Sequence, residues 1–369
     1  MTVVGVLGAG QLGRMLALAG YPLGLRFGFF DESADSPAGR LGELTVARWD
    51  DHRALDAFAE SVDLVTYEFE NVPVAAAERL AAHVPVFPPP RALQTAQDRL
   101  SEKTLFRDLD IGTAPFATVD TRDELNRALA TIGFPSVLKT RTQGYDGKGQ
   151  RVLRRREDVG PAFEAIGGPP LILEGFVPFA RELSIIAVRS RTGETSTWPL
   201  VENVHRDGIL RLSLAPAADV APALAEEAAA IATKTLEALE YVGVLAIELF
   251  EHEGRLLANE MAPRVHNSGH WTIEGAVTSQ FENHLRAVLG LPLGATTPVG
   301  VSAMVNLIGE TPDASALLGI DGAHLHLYDK PARPGRKLGH VTLVEPGRDA
   351  LHSALARVAA LIAEPVLAR

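Results

Sequence analysis

The chain has 369 residues, and this length favours two or three domains over one compact core. Its formal net charge of −11 argues against a nucleic-acid partner, and the absence of cysteine excludes disulfides, thiolate catalysis and cysteine-bound metals. No apolar run reaches the length of a membrane span, and the N-terminal apolar stretch lacks the basic residues of a signal peptide. We therefore expect a soluble, cytoplasmic, multidomain enzyme with no membrane partner.

Residues 1–90 alternate predicted strands and helices. Strands are predicted in "TVVGVLG", "LRFGFF" and "DLVTYEF", and helices in "GQLGRMLALAG", "DDHRALDAFAES" and "PVAAAERLAAH". This order is typical of an open parallel sheet with helices on both faces. The proline-rich "VPVFPPPRAL" is interpreted as a stiff boundary that ends this α/β unit.

The rest of the chain has the pattern of an α+β region. Amphipathic helices are predicted in "DRLSEKTLFRDL" and "TRDELNRALATIG", and a long alanine-rich helix over 220–240. Many short strands surround them, including a hairpin of "GVLAIELF" and "GRLLANEM" that turns at 252–253. A small β-rich tail begins at about residue 300 and is followed by a final helix. Mixed strands separated from helices argue against a second Rossmann half.

The opening stretch "VLGAGQLGRM" fits the pattern G-x-G-x-x-G through Gly8, Gly10 and Gly13. Glycines let the backbone approach an anion, and the N-terminus of the following helix supplies free N–H groups. Asp31 lies where a dinucleotide-binding fold places its ribose-binding acid. Three interpretations stay open here: an NAD site, a site for another phosphate, and glycines with a purely structural role.

Lys139 ends an apolar strand and is followed at once by the glycine-rich loop "TRTQGYDGKGQ". The N–H groups of such a loop can surround a polyphosphate while the lysine pairs with its oxygens. The P-loop pattern does not fit, because a strand follows where a helix should. The segment is therefore either a flap over phosphate or an ordinary hairpin with a solvated lysine.

Glu248 and Glu260 lie on the two strands of the predicted hairpin. With a turn at 252–253, Ala246 faces Glu260 and Glu248 faces Ala258, so the two carboxylates are diagonal neighbours on one face, about 7–8 Å apart at the backbone. Like charges on an apolar strand pair require a neutralising partner, and Mg²⁺ prefers oxygen ligands. The alternative is a solvent-exposed face. Asn259 points away in this register and joins only if the strand has a bulge.

Two further segments are rich in polar and basic side chains. "NEMAPRVHNSGHWT" has neither a helical nor a strand period, and such a loop beside a metal site suits anion or substrate binding. A zinc site at His266 and His270 is the less favoured alternative. The basic residues of "YDKPARPGRKLGH" form either a solvated face or a pocket for a small phosphorylated substrate.

Taken together, these motifs resemble the ATP-grasp superfamily and, within it, the N5-carboxyaminoimidazole ribonucleotide synthetase family. The strings that carry the resemblance include "GAGQLGRM", "TYEFENV", "GYDGKGQ", "NVHRDGILR", "APRVHNSGHWT" and "RPGRKLGH". The resemblance implies an α/β and α+β architecture with three parts. These are a Rossmann-like domain over 1–97, a linker helix and lid over 98–178, and a catalytic domain over 179–369 with its β-rich tail at about 300–345.

The resemblance also implies ATP and Mg²⁺ as cofactors, with Glu248 and Glu260 as metal ligands. The implied ATP contacts are Arg99, Lys139, Gly144, Tyr145, Asp146, Gly147, Lys148, Gly149, Gln150, Glu174, Gly175, Phe176, Val177, Glu182, His205, Asn259 and Glu260. Glu174 is expected near the adenine amino group and Glu182 at the ribose hydroxyls.

For the ribonucleotide, the resemblance implies a second set of contacts. These are Tyr145, Asp146, Lys148, Arg264, His266, Asn267, Ser268, Lys330, Arg336, Lys337 and an acid of "TYEFENV", either Glu68 or Glu70, of which Glu70 is adopted. Because ATP is placed elsewhere, the opening loop is assigned to the ribonucleotide, with donors from Gly10, Gln11 and Leu12. Asp146, Lys330 and Arg264 are the predicted catalytic groups, Asp146 positioning the reacting amine.

The implied reaction carboxylates 5-aminoimidazole ribonucleotide with bicarbonate through carboxyphosphate. A homodimer is the family's habit, and a transient contact with a mutase partner is also considered. Three other hypotheses are weighed: another ATP-grasp carboxylate–amine ligase, an NAD-dependent oxidoreductase, and a nucleotide-binding module without catalysis. The missing second βαβ half argues against the oxidoreductase, and the presence of Lys139, Glu248 and Glu260 argues against the inactive module.

Overall fold

The computed structural model of the chain describes residues 1–144, 149–168 and 170–362. Its first part is a parallel sheet in the order β3-β2-β1-β4, flanked by helices, as predicted. The elements are β1 (Val3–Leu7), α1 (Gln11–Gly20), β2 (Arg26–Asp31), β3 (Glu43–Val46), α2 (His52–Ser61), β4 (Leu64–Tyr67), α3 (Val74–Ala81) and α4 (Pro90–Gln97).

The stretch interpreted as a stiff boundary differs from the prediction. Pro90 begins helix α4, with Pro89 as its N-cap, because a proline in the first turn gives up no helical hydrogen bond. The short edge strand β3 is also absent from the predicted elements.

The second part is a small antiparallel sheet in the order β5-β8-β6-β7 with two helices, and this sheet with its helices is the lid. A separate helix, α5, precedes it. The elements are α5 (Arg99–Asp108), β5 (Phe116–Val119), α6 (Arg122–Ile132), β6 (Ser136–Thr140), β7 (Gln150–Leu153), α7 (Val159–Ile166) and β8 (Leu171–Gly175). Asp98 caps α5 through the N–H groups of Leu100 and Ser101.

The third part is built on a large antiparallel sheet in the order β14-β13-β9-β11-β12-β15-β17-β16, with β10 paired to β9. Its elements are β9 (Arg181–Arg189), β10 (Thr195–Thr197), β11 (Val201–Arg206), β12 (Ile209–Ala215), α8 (Pro222–Ala238), β13 (Gly243–His252), β14 (Arg255–Ala262), α9 (Thr272–Gly275), α10 (Gln280–Leu289), β15 (Val301–Ile308), α11 (Ala314–Leu318), β16 (Ala323–Leu327), β17 (Lys337–Glu345) and α12 (Arg348–Ile362).

The β-rich tail is continuous with this central sheet. Strand β15 pairs with β12 from Leu212↔Val305 to Ala215↔Ser302, so β15, β17 and β16 extend the same sheet. Helix α12 covers this end through Leu351, Leu355 and Val358, which are buried in one apolar cluster with strand residues of β15 and β17.

The first part is attached to the central sheet by a shared core. Helix α1 packs on α10, and Leu12, Leu16, Phe281 and Leu285 belong to one buried cluster. His284 adds a polar link: its Nε2 lies 2.7 Å from Thr66 Oγ1, and its Nδ1 accepts from the Val244 N–H at 3.0 Å. These contacts fix β1 and β4 relative to β13. None of the helices in the described ranges is both long and apolar enough to span a membrane.

Candidate active site

A cleft of about 410 Å³ lies where the first part, the lid and the central sheet meet. Most of the predicted site residues line it. They are Gln11, Leu12, Glu70, Arg99, Lys139, Gly144, Gln150, Glu174, Gly175, Phe176, Val177, Glu182, His205, Glu248, Asn259, Glu260, Arg264, His266, Asn267 and Lys337.

Other predicted residues have different positions. Gly10, Gly149, Ser268, Lys330 and Arg336 are described but do not line the cleft. Tyr145, Asp146, Gly147 and Lys148 lie outside the described residues, so their assigned roles stay predictions.

Lys139 lies at the end of β6 and contacts Glu174 at the end of β8. Lys139 Nζ donates to Glu174 Oε2 at 2.9 Å, and Lys103 Nζ lies 3.5 Å from the same oxygen. Burial alone would raise the pKa of Glu174, but the two ammonium groups lower it to about 2. Its other oxygen, Oε1, is buried without a partner among the described residues. The lid strands therefore place a cation and a free acceptor side by side.

Apolar side chains form the walls at this end of the cleft. Val137 and Val152 come from the lid, and Phe179 and Phe250 stack with ring centroids 4.6 Å apart and an interplanar angle of 3°. This pair is not among the residues predicted from the sequence. The signal was present, since Phe250 follows Glu248 by two residues, and alternate residues of a strand share a face. Such walls suit a planar aromatic ring.

The hairpin register predicted from the sequence is wrong. Glu248 pairs directly with Glu260 instead of with Ala258. Two features cause the shift. The turn lies at Glu253 and Gly254, whose φ values of 51° and 74° are left-handed, and a bulge leaves Asn259 without a pairing partner on β13. The predicted condition for Asn259 to join the two carboxylates, a bulge in the strand, is met, and Asn259 lines the cleft beside them.

The two carboxylates differ in their electrostatic surroundings. Arg99 Nη1 donates to Glu260 Oε2 at 2.8 Å, and although burial opposes it, this cation lowers the pKa of Glu260. Burial raises the pKa of Glu248 to about 7, and the charge of Glu260 adds to the rise. Among the described residues, Glu248 thus has no cation that compensates its charge fully, and their charges leave this point of the site short of positive charge.

The donor set around Glu248 and Glu260 fits Mg²⁺. Asn259 Oδ1 is buried and has no hydrogen-bond partner in the described part of the chain. Two carboxylates and an amide oxygen are hard ligands, and Mg²⁺ usually takes one or two carboxylates together with phosphate oxygens and water. Among the described residues, no group of three His, Cys, Asp or Glu side chains is arranged so that it could hold a metal ion by itself. The arrangement therefore suits a metal ion that also binds a phosphate group.

His266 lies beside Glu248 in its neutral form. Burial lowers the pKa of His266 to about 3. The Ser268 N–H donates to its Nδ1 at 3.3 Å, which leaves the ring proton on Nε2, 3.5 Å from Glu248 Oε1. The minor zinc alternative has no support here, because His270 is buried next to Gln280 and does not share a ligand position with His266 in the described part of the chain.

Ser268 supports this histidine instead of lining the cleft. It is 1% exposed, and its hydroxyl accepts from Ser184 at 2.8 Å and lies 2.9 Å from His266 Nδ1. Ser184 in turn accepts from Asn203 Nδ2 at 3.0 Å. Asn267 behaves differently: it lines the cleft, and both polar atoms of its amide are buried without partners among the described residues. Asn267 is therefore available to a ligand and Ser268 is not.

Basic side chains lie at the far end of the cleft. Arg264 donates from Nε to Glu70 and from Nη1 to Val265 O at 3.0 Å. Burial disfavours the charge of Glu70, but Arg264 outweighs it, so the pKa of Glu70 is lowered. Lys330 donates to Gln11, which lines the cleft. Arg336 is half-buried, donates to Pro331 O at 3.3 Å and does not line the cleft.

The opening glycine loop is occupied by the protein's own carboxylate. Glu68 accepts from the N–H groups of Gly10 at 2.7 Å and of Leu12 and Gly13 at 3.1 Å each. A Cβ at Gly10 would lie 2.6 Å from Glu68 Oε1, which explains the glycine. The donors assigned to the ribonucleotide at Gly10 and Leu12 are thus used internally, because a helix N-terminus stabilises a carboxylate. Gln11 and Leu12 both line the cleft, and of the three residues only Gln11 has a polar side chain to offer there.

The second acid of a dinucleotide site is also used internally. Asp31 Oδ2 accepts from the Ala9 N–H at 2.8 Å, and Oδ1 accepts from the Ser33 N–H at 2.8 Å. Asp31 therefore binds N–H groups of its own domain with both carboxylate oxygens, instead of the ribose hydroxyls that it would bind in a dinucleotide site. Because Asp31 accepts from Ala9 and Glu68 accepts from Gly10, Leu12 and Gly13, these four N–H groups are not free for the phosphates of NAD, which argues against the NAD interpretation.

We expect Glu68→Leu to lower the free energy of unfolding by about 2–3 kcal/mol, because three helix N-terminal N–H groups lose their acceptor. Denaturant unfolding followed by circular dichroism measures the change. Glu68→Gln keeps an acceptor and should lose less. Equal stability of Glu68→Leu and the parent protein would contradict the assignment.

The comparisons with known proteins agree with this geometry. Family models match the ribonucleotide synthetase preATP-grasp domain over residues 1–97, the ATP-grasp domain over 104–281 and the phosphoribosylaminoimidazole carboxylase C-terminal domain over 302–354. A Pseudomonas aeruginosa N5-carboxyaminoimidazole ribonucleotide synthase is 54% identical over 97% of this chain and 99% of its own length. This chain belongs to the N5-carboxyaminoimidazole ribonucleotide synthase family. The predicted ATP-grasp fold and the family resemblance are confirmed.

Solved structures of the synthase family share the whole architecture. The Thermus thermophilus synthetase superposes with a TM-score of 0.95 at 59% identity, covering 98% of this chain and 99% of that one. An Aspergillus clavatus synthase in complex with ADP and 5-aminoimidazole ribonucleotide has a TM-score of 0.90 at 35% identity and covers 98% of each chain. The domain boundaries predicted from the sequence stay predictions.

Proposed function

We propose that this protein is an ATP-dependent ligase that carboxylates 5-aminoimidazole ribonucleotide with bicarbonate. The products are N5-carboxyaminoimidazole ribonucleotide, ADP and phosphate, in de novo purine biosynthesis. One observation carries the proposal. A single cleft has an apolar slot with a lysine at one end, a carboxylate pair with a free amide oxygen in the middle, and basic side chains at the other end.

The lid end suits ATP. Phe176 and Val177 follow β8 as the hinge, and their backbone groups would meet the adenine edge between the apolar walls. Glu174 Oε1 would accept from the adenine amino group, and Lys139 would bind phosphate oxygens. Glu182, which is hydrogen bonded to His205, would accept from the ribose hydroxyls.

The middle of the cleft suits Mg²⁺, with Glu248, Glu260 and Asn259 as its protein ligands. A metal ion held by these residues would supply positive charge that offsets the charge developing on phosphate oxygens during phosphoryl transfer. Arg99 holds Glu260 in position from the side of α5.

The basic end suits the ribonucleotide and bicarbonate, which are both negatively charged. Arg264 is oriented by Glu70, and the amide of Asn267 is free to bind a ligand. Lys337 lines this end of the cleft, and Lys330 donates a hydrogen bond to Gln11, which also lines the cleft. Preoriented cations of this kind stabilise anionic transition states without reorganising.

The proposed reaction has two stages. A bicarbonate oxygen attacks the γ-phosphorus of ATP, the bond to the β-phosphate oxygen breaks, and carboxyphosphate and ADP form. The exocyclic amine of the ribonucleotide then attacks the carboxyl carbon, phosphate leaves, and the amine loses a proton. Arg264 and Lys330 would stabilise the charge on the transferred groups. Asp146, the predicted positioning group for the amine, lies outside the described residues.

The test is a coupled assay of ADP formation in which each substrate is omitted in turn. We expect ADP release to require both bicarbonate and 5-aminoimidazole ribonucleotide. Formate in place of bicarbonate should give no product, which separates this ligase from formate-dependent relatives within the superfamily. ADP release that ignores the ribonucleotide would refute the proposal.

The proposed role of Lys330 predicts a pH dependence. Burial lowers the pKa of Lys330 to about 8, with Glu68 opposing the shift. The free enzyme therefore loses this positive charge as the pH rises through about 8. We expect kcat/KM for the ribonucleotide, which reports groups of the free enzyme, to fall above that pH.

Lys330→Arg is the control for this alkaline limb of the pH profile, the fall in kcat/KM above that pH, because a guanidinium stays charged at every pH of the assay. The variant should move the alkaline limb upward or remove it, even if its overall rate is lower. An unchanged alkaline limb in Lys330→Arg would assign the titration to another group.

Two association partners stay proposals as well. We propose a homodimer in solution, as the family resemblance implies, and a transient contact with a mutase that uses the product. Light scattering on the purified protein tests the first, and coupled turnover with and without the mutase tests the second. A monomer mass at assay concentrations would refute the dimer.

A further inference from the structure

Helix α5 carries two adjacent charged side chains that are almost fully buried. Glu102 is 2% exposed and Lys103 is 1% exposed. Glu102 Oε1 accepts from the Met261 N–H at 2.6 Å, and Lys103 Nζ donates to Ala258 O at 3.2 Å. Burying a charged group is costly unless it has partners. The acceptor of the Lys103 hydrogen bond and the donor of the Glu102 hydrogen bond are both backbone groups of one strand, β14.

These backbone groups flank the bulge of the hairpin. On β14, Ala258 pairs with Leu249 and Glu260 pairs with Glu248, so Asn259 is the extra residue between them. Strand β14 is the edge of the central sheet. On its outer side the Ala258 N–H donates to Gly112 O at 2.7 Å and Thr113 forms an isolated bridge with Ala258, but no full strand in the described part of the chain continues past the bulge to satisfy the other N–H and C=O groups. Glu102 and Lys103 bind one backbone group on each side of the bulge, Met261 N–H and Ala258 C=O, and so supply side-chain partners on this edge that a full strand would otherwise supply.

We infer that Glu102 and Lys103 are positioning residues that hold the bulge so that Asn259 and Glu260 both face the cleft. The inference rests on the proposed metal site of Glu248, Glu260 and Asn259. A bulge re-aims side chains at the expense of regular pairing, so its geometry needs support from outside the sheet. The helix gives that support from consecutive residues, which fixes the spacing of the two contacts.

Lys103 also connects the bulge to the lid end of the cleft. Its Nζ lies 3.5 Å from Glu174 Oε2, the oxygen that Lys139 also contacts. Lys103 therefore contacts both the strand of the metal site and the acid of the hinge. The hydrogen bond of Glu102 goes to the strand of the metal site, through Met261. The two residues are thus expected to have different effects when removed.

The test compares Glu102→Leu with Glu102→Gln by calorimetric titration of ATP, with Mg²⁺ and with EDTA. Leucine removes the acceptor of the Met261 N–H, whereas glutamine keeps an oxygen acceptor and removes only the charge. We expect Glu102→Leu to weaken ATP binding in the presence of Mg²⁺ on the order of tenfold, as substitutions of residues that position metal ligands do. ATP binding in EDTA should stay within about twofold of the parent value. Glu102→Gln should bind like the parent.

Ser101→Ala is the matched control, since Ser101 is an exposed neighbour on the same helix. Lys103→Met gives an independent arm: it should weaken ATP binding in EDTA, because Glu174 loses a partner, and weaken it further with Mg²⁺, because the Ala258 C=O beside the bulge loses its donor. This arm carries the test if Glu102→Leu does not fold by circular dichroism.

Three outcomes would overturn the inference. In Glu102→Leu, a lowered thermal midpoint with an unchanged ratio of Mg²⁺-dependent to EDTA binding would mean a merely structural role. Equal losses in Glu102→Gln and Glu102→Leu would assign the effect to charge instead of to the hydrogen bond. A parent protein whose ATP binding ignores Mg²⁺ would remove the proposed metal site itself, a failure that is distinguishable because it precedes any substitution.

Discussion

Glu260→Gln is expected to reduce turnover by roughly 10³-fold, which corresponds to several kcal/mol of lost transition-state stabilisation by the metal ion. The substitution keeps the shape of the side chain but removes one of the two carboxylate charges on the hairpin. It also replaces the ion pair with Arg99 by a weaker hydrogen bond from the charged guanidinium to a neutral amide. ADP formation at saturating substrates measures the loss, and circular dichroism checks that the protein is folded.

The matched control is Glu253→Gln in the turn of the same hairpin. Glu253 has a side chain that is 84% exposed, so the same chemical change there should leave turnover within about twofold. A second readout is the affinity for ATP in the presence of Mg²⁺, which should fall in Glu260→Gln alone. If Glu260→Gln retained turnover close to that of the control, the assignment of Glu260 as a metal ligand would be wrong.

The hairpin illustrates how far the sequence alone predicts the site. The two strands and the carboxylates on one face follow from the two-residue period of "GVLAIELF" and "GRLLANEM". The register does not, because it depends on a left-handed Glu253–Gly254 turn and on a bulge at Asn259 that is held by α5. Contacts from a distant helix leave no local trace in the strand sequence.

For the opening motif, the predicted feature is present but the predicted ligand is wrong. Its glycines predict a close backbone approach to an anion, and the structure has one, but the anion is the carboxylate of Glu68. A local pattern identifies donors without identifying which acceptor reaches them. This acid, Glu68, lies in "TYEFENV", 55 to 58 residues after the N–H groups that it binds. Only the pairing of β4 with β1 brings it to the loop.

Buried polar networks are the hardest features to predict. The position of Ser268 in a polar loop predicts a substrate contact, yet its hydroxyl is used by Ser184 and His266. The pattern around Glu102 and Lys103 predicts an amphipathic helix, although both charged residues are on its buried face. Exposed and buried charges look alike in sequence, since burial is decided by what packs against the helix.

Arg264→Met is expected to lower kcat/KM for 5-aminoimidazole ribonucleotide roughly 100-fold, as for truncation of one member of a buried charged pair at an interface. The substitution removes the guanidinium and leaves Glu70 without its cation in a largely buried position. The free energy of unfolding should also fall by roughly 3 kcal/mol because of that unpaired charge. The affinity for ATP should change little, since Lys139 and Glu174 hold each other at the opposite end of the cleft.

The double variant Arg264→Met/Glu70→Gln separates the two effects. Removing both charges takes away the unpaired carboxylate, so denaturant unfolding should return close to the parent value. Turnover of the ribonucleotide should stay low, because a neutral pair cannot bind an anionic substrate or stabilise charge on the transferred carboxyl group. Recovery of kcat/KM together with stability would mean that Arg264 acts only by compensating Glu70. Recovery of stability alone would place its guanidinium among the groups that act on the substrate.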